Sequence, residues 1–549
     1  MTLYEKLVFL IIILLLLIGG ISGFTWWKKQ EIERLRTETV YLAADAPTLT
    51  LTSASGKETE FIRGTEIELR VHPPKDQTCR IFLYDEEEYC ISEEITVRER
   101  EDAVLDTDKY ALYPSVIYED RGNFRIAGSV SAGEQLQLLS HTPLQEDGSV
   151  EGWFVSNGET QGYLPSADLS DTQPQWEVPA VHAQRENDYD GGAPGDVIYP
   201  DFPVTVIDGN EMPREVRALY LNKVAAGEID GYIELAQSSG INAFVIDLKE
   251  SDGICYQSRA VQAYSPTSYD TAWLTWEEFA DSVKKAKDAG IYLIGRIVTF
   301  KDLSYAQDYP EYTLQDRNTG QPFLLYNTYW PSPYQREVWE YNMALAVEAV
   351  DEFGFNEIQF DYVRFPDRIS AVYDRIDFRN DRNETMIQAI QGFLFYAREV
   401  LHEHGAYLSA DVFGECSNAY VTAYGQYWPM ISNAADVISA MPYPDHFGMY
   451  SYGISQPVWE VPGQLLRRWG EDVVERQSET PSPAKVRTWL QGYDSNHEPY
   501  VEYTTDMIIE QINGLYANGL DDGYMIWNAP SNIIRYWRYV PAFEPHFAE

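Results

Sequence analysis

The chain is poor in cysteine, poor in histidine, and carries fewer than half as many basic as acidic side chains. Four cysteines in 549 residues cannot make a disulfide framework. No CxxC and no Cys/His cluster with zinc spacing occurs, so no metal site is expected. Cys79 and Cys90 flank Tyr84-Asp85-Glu86 at a hairpin spacing compatible with pairing outside the cell, while Cys255 and Cys416 are expected to be buried thiols. The sequence leaves the pairing open. His402 and His404 stand two apart on a helix, which points them in different directions, and both are expected to be solvated. With 41 Lys plus Arg against 86 Asp plus Glu, the net charge of -45 would repel phosphate and excludes nucleic acid as the main partner. Walker and GxGxxG patterns are also missing, so no cofactor is expected.

Aromatic residues are abundant instead: Tyr 40, Phe 22 and Trp 14 make up 14% of the chain. Flat amphipathic rings serve a core and a sugar-binding surface equally well. Only one long apolar run occurs, Val8 to Phe24, preceded by Lys6 and closed by Trp26, Trp27, Lys28 and Lys29. It is near the lower limit of the ~17–25 residues that span a bilayer, and the Trp pair suits an interfacial belt. Because Ile21-Ser22-Gly23 is a poor cleavage site, the expectation is an uncleaved single-pass anchor with the bulk of the chain extracellular. Lys28, Lys29, Arg34 and Arg36 count against that orientation, although long domains translocate largely regardless of such counts.

Past the anchor (1–29), residues 44–101 alternate apolar and polar in short runs separated by turn residues, as in a small all-β module. Residues 104–170 repeat the pattern and end in Gly152-Trp153-Phe154-Val155 and Gly162-Tyr163-Leu164-Pro165. Those two steps resemble the last strands of the bacterial Src-homology-three-like domain, which implies a module that binds cell-wall glycan or peptide, or one that serves as a spacer. Residues 171–209, rich in Pro, Gly, Asp and Asn, read as a linker.

Residues 210–549 repeat one grammar: amphipathic helix, glycine, apolar run, polar residues. Thr275 and Glu278 form a capping box, Phe279, Val283 and Ala286 a helical stripe, and Gly290 ends the helix before Ile291-Tyr292-Leu293-Ile294. Gly240, Gly354 and Gly405 precede similar runs. About eight strands alternating with helices indicate an α/β fold closed as a (β/α)8 TIM barrel. An open doubly wound sheet is the alternative, but it calls for a glycine-rich turn after the first strand, and Tyr220-Leu221-Asn222-Lys223-Val224 has none.

In such a barrel the carboxyl ends of all strands converge on one face. Those ends carry Asp247 with Lys249 and Glu250, Arg296, Asp361 with Tyr362 and Arg364, Asp411 with Glu415, Tyr443, Gln491, and Trp527 with Asn528. Glycosidic cleavage needs one carboxylic acid to protonate the leaving oxygen and one carboxylate to attack or to activate water. Asp361, on the fourth strand, is the expected nucleophile or base, and Asp411, on the fifth, the expected acid with Glu415 in reserve. Arg364 is the local candidate for an ion-pair partner of Asp361. Asp247, Arg296, Tyr362, Arg364, Tyr443, Gln491, Trp527 and Asn528 are the expected substrate-binding residues, and Trp330-Pro331-Ser332-Pro333-Tyr334 the expected cleft wall.

Six segments, Leu293 to Asp302, Glu357 to Pro366, Ser409 to Gly414, Met441 to Pro444, Trp489 to Gln491 and Ile526 to Ala529, closely resemble a bacterial glycoside hydrolase family. The resemblance runs in order from about Arg217 to Ala529. It implies a TIM barrel related to the α-amylase-like clan and a polysaccharide substrate. Amylase-like enzymes place a glutamate acid after the fifth strand, where this chain has Asp411. The alternative function is a noncatalytic glycan-binding or wall-organising protein with a degenerate barrel. A metal-dependent deacetylase would need a His/His/Asp site, and only His446 and His497 lie near strand ends.

Overall fold

The computed structural model describes residues 8, 10, 28, 29, 36–43, 48–62, 65–71, 79–84, 87–91, 96–98, 109–143, 145, 149–176 and 191–546. The expected anchor therefore lies almost wholly outside the described residues; among those described, no helix is long and apolar enough to cross a membrane. The chain divides into two compact units, Met1–Leu112 with Gly133–Pro174, and Tyr113–Ala132 with Gln175–Glu549.

The first unit is antiparallel. Strands Glu87–Ile91, Arg80–Tyr84, Glu66–Arg70, Thr37–Ala43 and Thr96–Arg98 lie side by side in that order, and Thr48–Thr52 pairs with Glu58–Ile62. Alternation puts Ile67 and Leu69 in a core with Leu42, Phe61, Phe82, Tyr89 and Ile91. The strand Thr37–Ala43 precedes residue 44, so this module begins earlier than its alternating pattern suggested. Cys79 and Cys90 form a disulfide beside the Arg80–Tyr84/Glu87–Ile91 hairpin. Farther along, Gln135–His141, Gly152–Ser156 and Gln161–Pro165 form a meander, flanked by Lys109–Ala111 and Leu169–Ser170. Trp153, Val155 and Leu164 fill its core.

The second unit is a nearly closed parallel α/β barrel of nine strands: β1 (Val216–Leu221), β2 (Ala243–Glu250), β3 (Tyr292–Val298), β4 (Glu357–Asp361), β5 (Tyr407–Phe413), β6 (Val437–Met441), β7 (Lys485–Val486), β8 (Thr488–Gln491) and β9 (Gly523–Trp527). The order runs β7-β6-β5-β4-β3-β2-β1-β9-β8, with every one of these pairs parallel. β7 and β8 are two stretches of one run separated by Arg487, whose N–H continues the ladder to Ile438 O at 3.1 Å. The sheet thus returns to its own starting edge. β1 and β4 are buried along their whole length, polar Arg217, Glu357, Gln359 and Asp361 included, as strands covered on both faces are.

Helices α1 (Trp276–Asp288), α2 (Arg336–Phe353), α3 (Met386–Glu403), α4 (Pro462–Ser478) and α5 (Thr505–Tyr516) alternate with the strands. Thr275 accepts from Glu278 N while Glu278 accepts from Thr275 N, so the capping box starts α1 as its spacing predicts. Gly290 at φ 76° and Gly354 at φ 70° take the left-handed conformation that ends α1 and α2.

Two segments outside the barrel strands pack onto it. Ile126 N donates to Glu340 Oε1 at 2.6 Å, tying the hairpin Ser115–Tyr118/Ile126–Val130 to α2. Residues 191–209 run along the barrel instead of hanging free: Gln391 of α3 brackets Ile198 through N and O, and Thr205 donates to Asp436 Oδ1 at 2.6 Å. The linker composition failed as a guide there because its polar atoms satisfy buried polar groups of the barrel. At the amino ends of the strands, Arg487 and Glu357 form a fully buried ion pair at 2.7 Å, with Tyr292 OH on Glu357 Oε2 at 3.1 Å.

Candidate active site

The strand register places Arg296 of β3 beside Asp247 of β2. Its guanidinium gathers the carboxylates of the neighbouring strand ends. Nη1 donates to Asp247 Oδ1 at 2.6 Å and to Glu250 Oε1 at 2.8 Å; Nη2 and Nε donate to Asp361 Oδ2 at 2.6 and 3.2 Å. Asp411 Oδ2 stands 4.0 Å from Nε. Asp361 and Asp411 thus meet at one cation, as two residues on adjacent strands should. The partner of Asp361 is Arg296, not Arg364 three residues on; Arg364 donates to Phe365 O and Asp367.

Four carboxylates around one buried guanidinium cannot all stay ionised cheaply. Burial and the neighbouring Asp361 push the Asp411 carboxyl well above the usual carboxylate range, against Arg296 and the Trp489 N–H. Burial raises Asp247 to about 7 despite Arg296. For Glu250 burial also pushes upward, but Arg296 and the Ser251 amide outweigh it and leave the group below its ordinary value. The side chain of Glu250 is 31% exposed, against 0% for Asp411. Environments that separate carboxyl groups in this way suit acid and base roles.

Rings wall the cluster. Tyr220 donates to Asp247, and its ring lies 4.2 Å from that of Trp527, with Trp489 edge-on to Trp527 at 5.6 Å. Behind it, Lys249 and Asp302 form a wholly buried pair at 3.0 Å, which Tyr341 joins through its hydroxyl. A cleft of about 650 Å³ lies at the opposite end, lined by Glu215, Arg217, Asn242, Tyr292 and Asn356, away from these carboxylates.

Residues 218–533 match a protein family described as "Putative glycosyl hydrolase domain". The chain belongs to this family. Among solved structures it is similar to a hypothetical protein from Ruminiclostridium thermocellum ATCC 27405, at 35% identity over 35% of this chain and 97% of that one, with a TM-score of 0.31. It is also similar to the PgaB (BpsB) glycoside hydrolase domain of Bordetella bronchiseptica (12% identity, 58% and 98% of the two chains, TM-score 0.40). A third is the spore cortex-lytic enzyme SleL of Bacillus megaterium QM B1551 (11% identity, 64% and 77%, TM-score 0.37). No curated protein matches the sequence.

Within this glycosyl hydrolase domain the remaining expected residues separate into those at the mouth and those built into the frame. Tyr362 is at the mouth: its backbone is left-handed at φ 52°, its N–H donates to Asp361 Oδ1 at 2.6 Å, and its ring has Lys301 at 4.5 Å and Arg364 at 4.8 Å from its centre. Trp330 packs beneath it, buried, and so supports the mouth more than it lines it. Trp527 is half-buried, and Tyr443 packs in the same core cluster with Trp489. Glu415 accepts from Tyr420 and Tyr424 at 2.9 and 3.2 Å.

Gln491 and Asn528, expected to meet sugar hydroxyls, are buried and occupied by main chain. Gln491 accepts from Asp445 N and donates to Tyr493 O; Asn528 donates to Gly492 O and accepts from Asn532 N. Arg296 and Asp247 are likewise turned to protein groups, so they organise the carboxylates. His402 and His404 are not merely solvated but meet Asp436 and Asp351, each at 2.8 Å. Cys255 and Cys416 are free and buried. Tyr220, Trp489 and Glu250 carry more of the site than their sequence positions announced. Alternation along the strand was the available signal for Trp489, which points inward with Gln491.

Proposed function

We propose that this protein is a glycoside hydrolase that cleaves a cell-surface or environmental polysaccharide, with Asp361 as nucleophile or base and Asp411 as acid. The observation that carries the reading is the shared guanidinium: one carboxylate is ion-paired to Arg296, and the other, 4.0 Å from it, is buried and pushed toward its protonated form. Glycosidic cleavage requires one proton donor and one carboxylate, and the unlike surroundings of these two groups suit that division. The apolar run from Val8 to Phe24 and the Cys79–Cys90 disulfide support a membrane-anchored, extracellular placement. The Gly152–Ser156 and Gln161–Pro165 strands support a Src-homology-three-like module for wall glycan or peptide.

The complete burial of the Asp411 side chain favours a second reading, a glycan-binding protein without turnover. Product analysis of the purified chain against wall glycans, partly deacetylated amino-sugar polymers and α-glucans separates the two. Hydrolysis that disappears in Asp361→Asn and Asp411→Asn, with binding kept, is the expected result. Binding with no cleavage anywhere in the panel would sink the hydrolase reading.

A further inference from the structure

The two oxygens of Asp411 are treated differently by the protein. Trp489 Nε1–H donates to Oδ1 at 2.9 Å, while Oδ2 is buried and has no hydrogen-bond partner. The nearest cation to Oδ2 is Arg296, whose Nε, 4.0 Å away, donates to Asp361 Oδ2. Oδ2 therefore faces the side on which Asp361 lies. Trp489 is itself held: it is 1% exposed and edge-on to both Tyr220 and Trp527.

A neutral carboxyl group has one accepting oxygen and one hydroxyl. When an indole N–H already occupies one oxygen, that oxygen serves as the carbonyl and the proton resides on the other. We propose that Trp489 is a positioning residue that fixes the Asp411 proton on Oδ2, the oxygen toward Asp361 and Arg296. The inference rests on reading Asp411 as the acid. In the step it serves, the Oδ2–H bond breaks and its electron pair stays on Asp411. The proton joins the glycosidic oxygen, whose bond to the anomeric carbon breaks with its pair left on that oxygen, while the anomeric carbon takes a new bond from an Asp361 oxygen or from the water that Asp361 deprotonates. The carboxylate so formed keeps the Trp489 bond, now charge-assisted. Without it the ion would be left in a buried site with no donor of its own.

The test uses the full chain with 15N-labelled tryptophan and 13C-carboxyl-labelled aspartate. The Asp411 signal is assigned by its loss in Asp411→Asn and the indole signal by its loss in Trp489→Phe. In the wild type the Trp489 N–H resonance is expected to titrate together with Asp411. In Trp489→Phe the Asp411 midpoint should rise by about one pH unit, and the alkaline limb of kcat/KM should rise with it, with KM nearly unchanged. Trp489→His, which keeps a ring N–H, should recover part of the shift. A Trp489 resonance indifferent to Asp411, or an unmoved alkaline limb, overturns the proposal. If Trp489→Phe does not fold, the indole resonance is identified by its loss in Trp489→His, and the wild-type titration still decides it. Coupled resonances without cleavage of any glycan would overturn the hydrolase reading alone; cleavage with uncoupled resonances overturns the proton placement alone.

Discussion

Arg296 and Asp361 share two N–H···O contacts, at 2.6 and 3.2 Å, across neighbouring barrel strands. The same guanidinium also serves Asp247 and Glu250, so it is the common counter-charge of the site. Replacing it removes the counter-charge and leaves the carboxylates. Arg296→Met should lower stability by about 3–5 kcal/mol, the usual result of breaking a buried ion pair from one side. Arg296→Lys should recover little of it, because one ammonium cannot reproduce a planar fork bridging three carboxylates. Urea denaturation of the two variants checks this; a Lys variant as stable as wild type contradicts it.

Asp247 gives a pH dependence of stability with a definite sign. Burial raises its carboxyl to about 7 in the folded protein, above the value in the unfolded chain. Between roughly pH 4 and pH 7 the folded state therefore holds a proton that the unfolded state has released. Its contribution is complete below pH 4 and is lost as pH rises through 7. Asp247→Asn cannot release that proton. The variant should gain stability relative to wild type by about 2–4 kcal/mol as pH goes from 4 to 8. Thermal melts at the two pH values read the difference, and a constant offset between the proteins would refute the assignment.

How far the sequence led depends on the range of the interaction. The helix–glycine–strand repeat is local, and Gly240, Gly290, Gly354 and Gly405 stand before β2, β3, β4 and β5; Thr275 with Glu278, and Gly290 and Gly354, stand where their spacing placed them. Placing Asp361 and Asp411 at adjacent strand ends needed only strand order. Pairing was harder. Arg364 looked like the partner of Asp361 because it is three residues away, whereas Arg296 is 65 residues away and reaches it through register. Gln491 and Asn528 have side chains suited to sugar hydroxyls, but the loops after β6 and β8 consume their amides, which no composition rule announces. The packed segments 113–132 and 191–209 were illegible for the same reason: their partners lie more than a hundred residues onward.

The pair Arg487 and Glu357 offers a stability test far from the chemistry. Both side chains are wholly buried at the amino ends of the strands, with Glu357 taking both of its oxygens to Arg487 Nη1 at 2.7 and 2.9 Å. Arg487→Met strands Glu357 and should cost about 3–5 kcal/mol, while Arg487→Met with Glu357→Gln should recover a large part. Because the Glu357 charge is also one of the smaller causes that push the Asp411 carboxyl upward, the double variant should draw the alkaline limb of activity slightly downward. Denaturation midpoints and a pH–rate profile give the two readings.

Where the chain is cut should matter more than the linker-like composition of 171–209 suggests. A fragment beginning at Asp208 would lose Pro200, whose carbonyl accepts from Asn433 at 2.8 Å, and Ile198, whose backbone satisfies the buried amide of Gln391. It would lose Thr205, which links Arg398 and Asp436, and Phe202, whose ring lies 4.8 Å under Arg398. The hairpin 115–130 would go too, leaving Glu340 without the Ile126 amide. Each buried polar group left without its partner costs about 1–3 kcal/mol, so the losses together approach the whole stability of a domain. The fragment from Asp208 should therefore be poorly soluble or unfold at much lower urea than one from Tyr113, which keeps every one of these contacts. Equal midpoints for the two fragments would show that the strap and hairpin are passengers on the barrel.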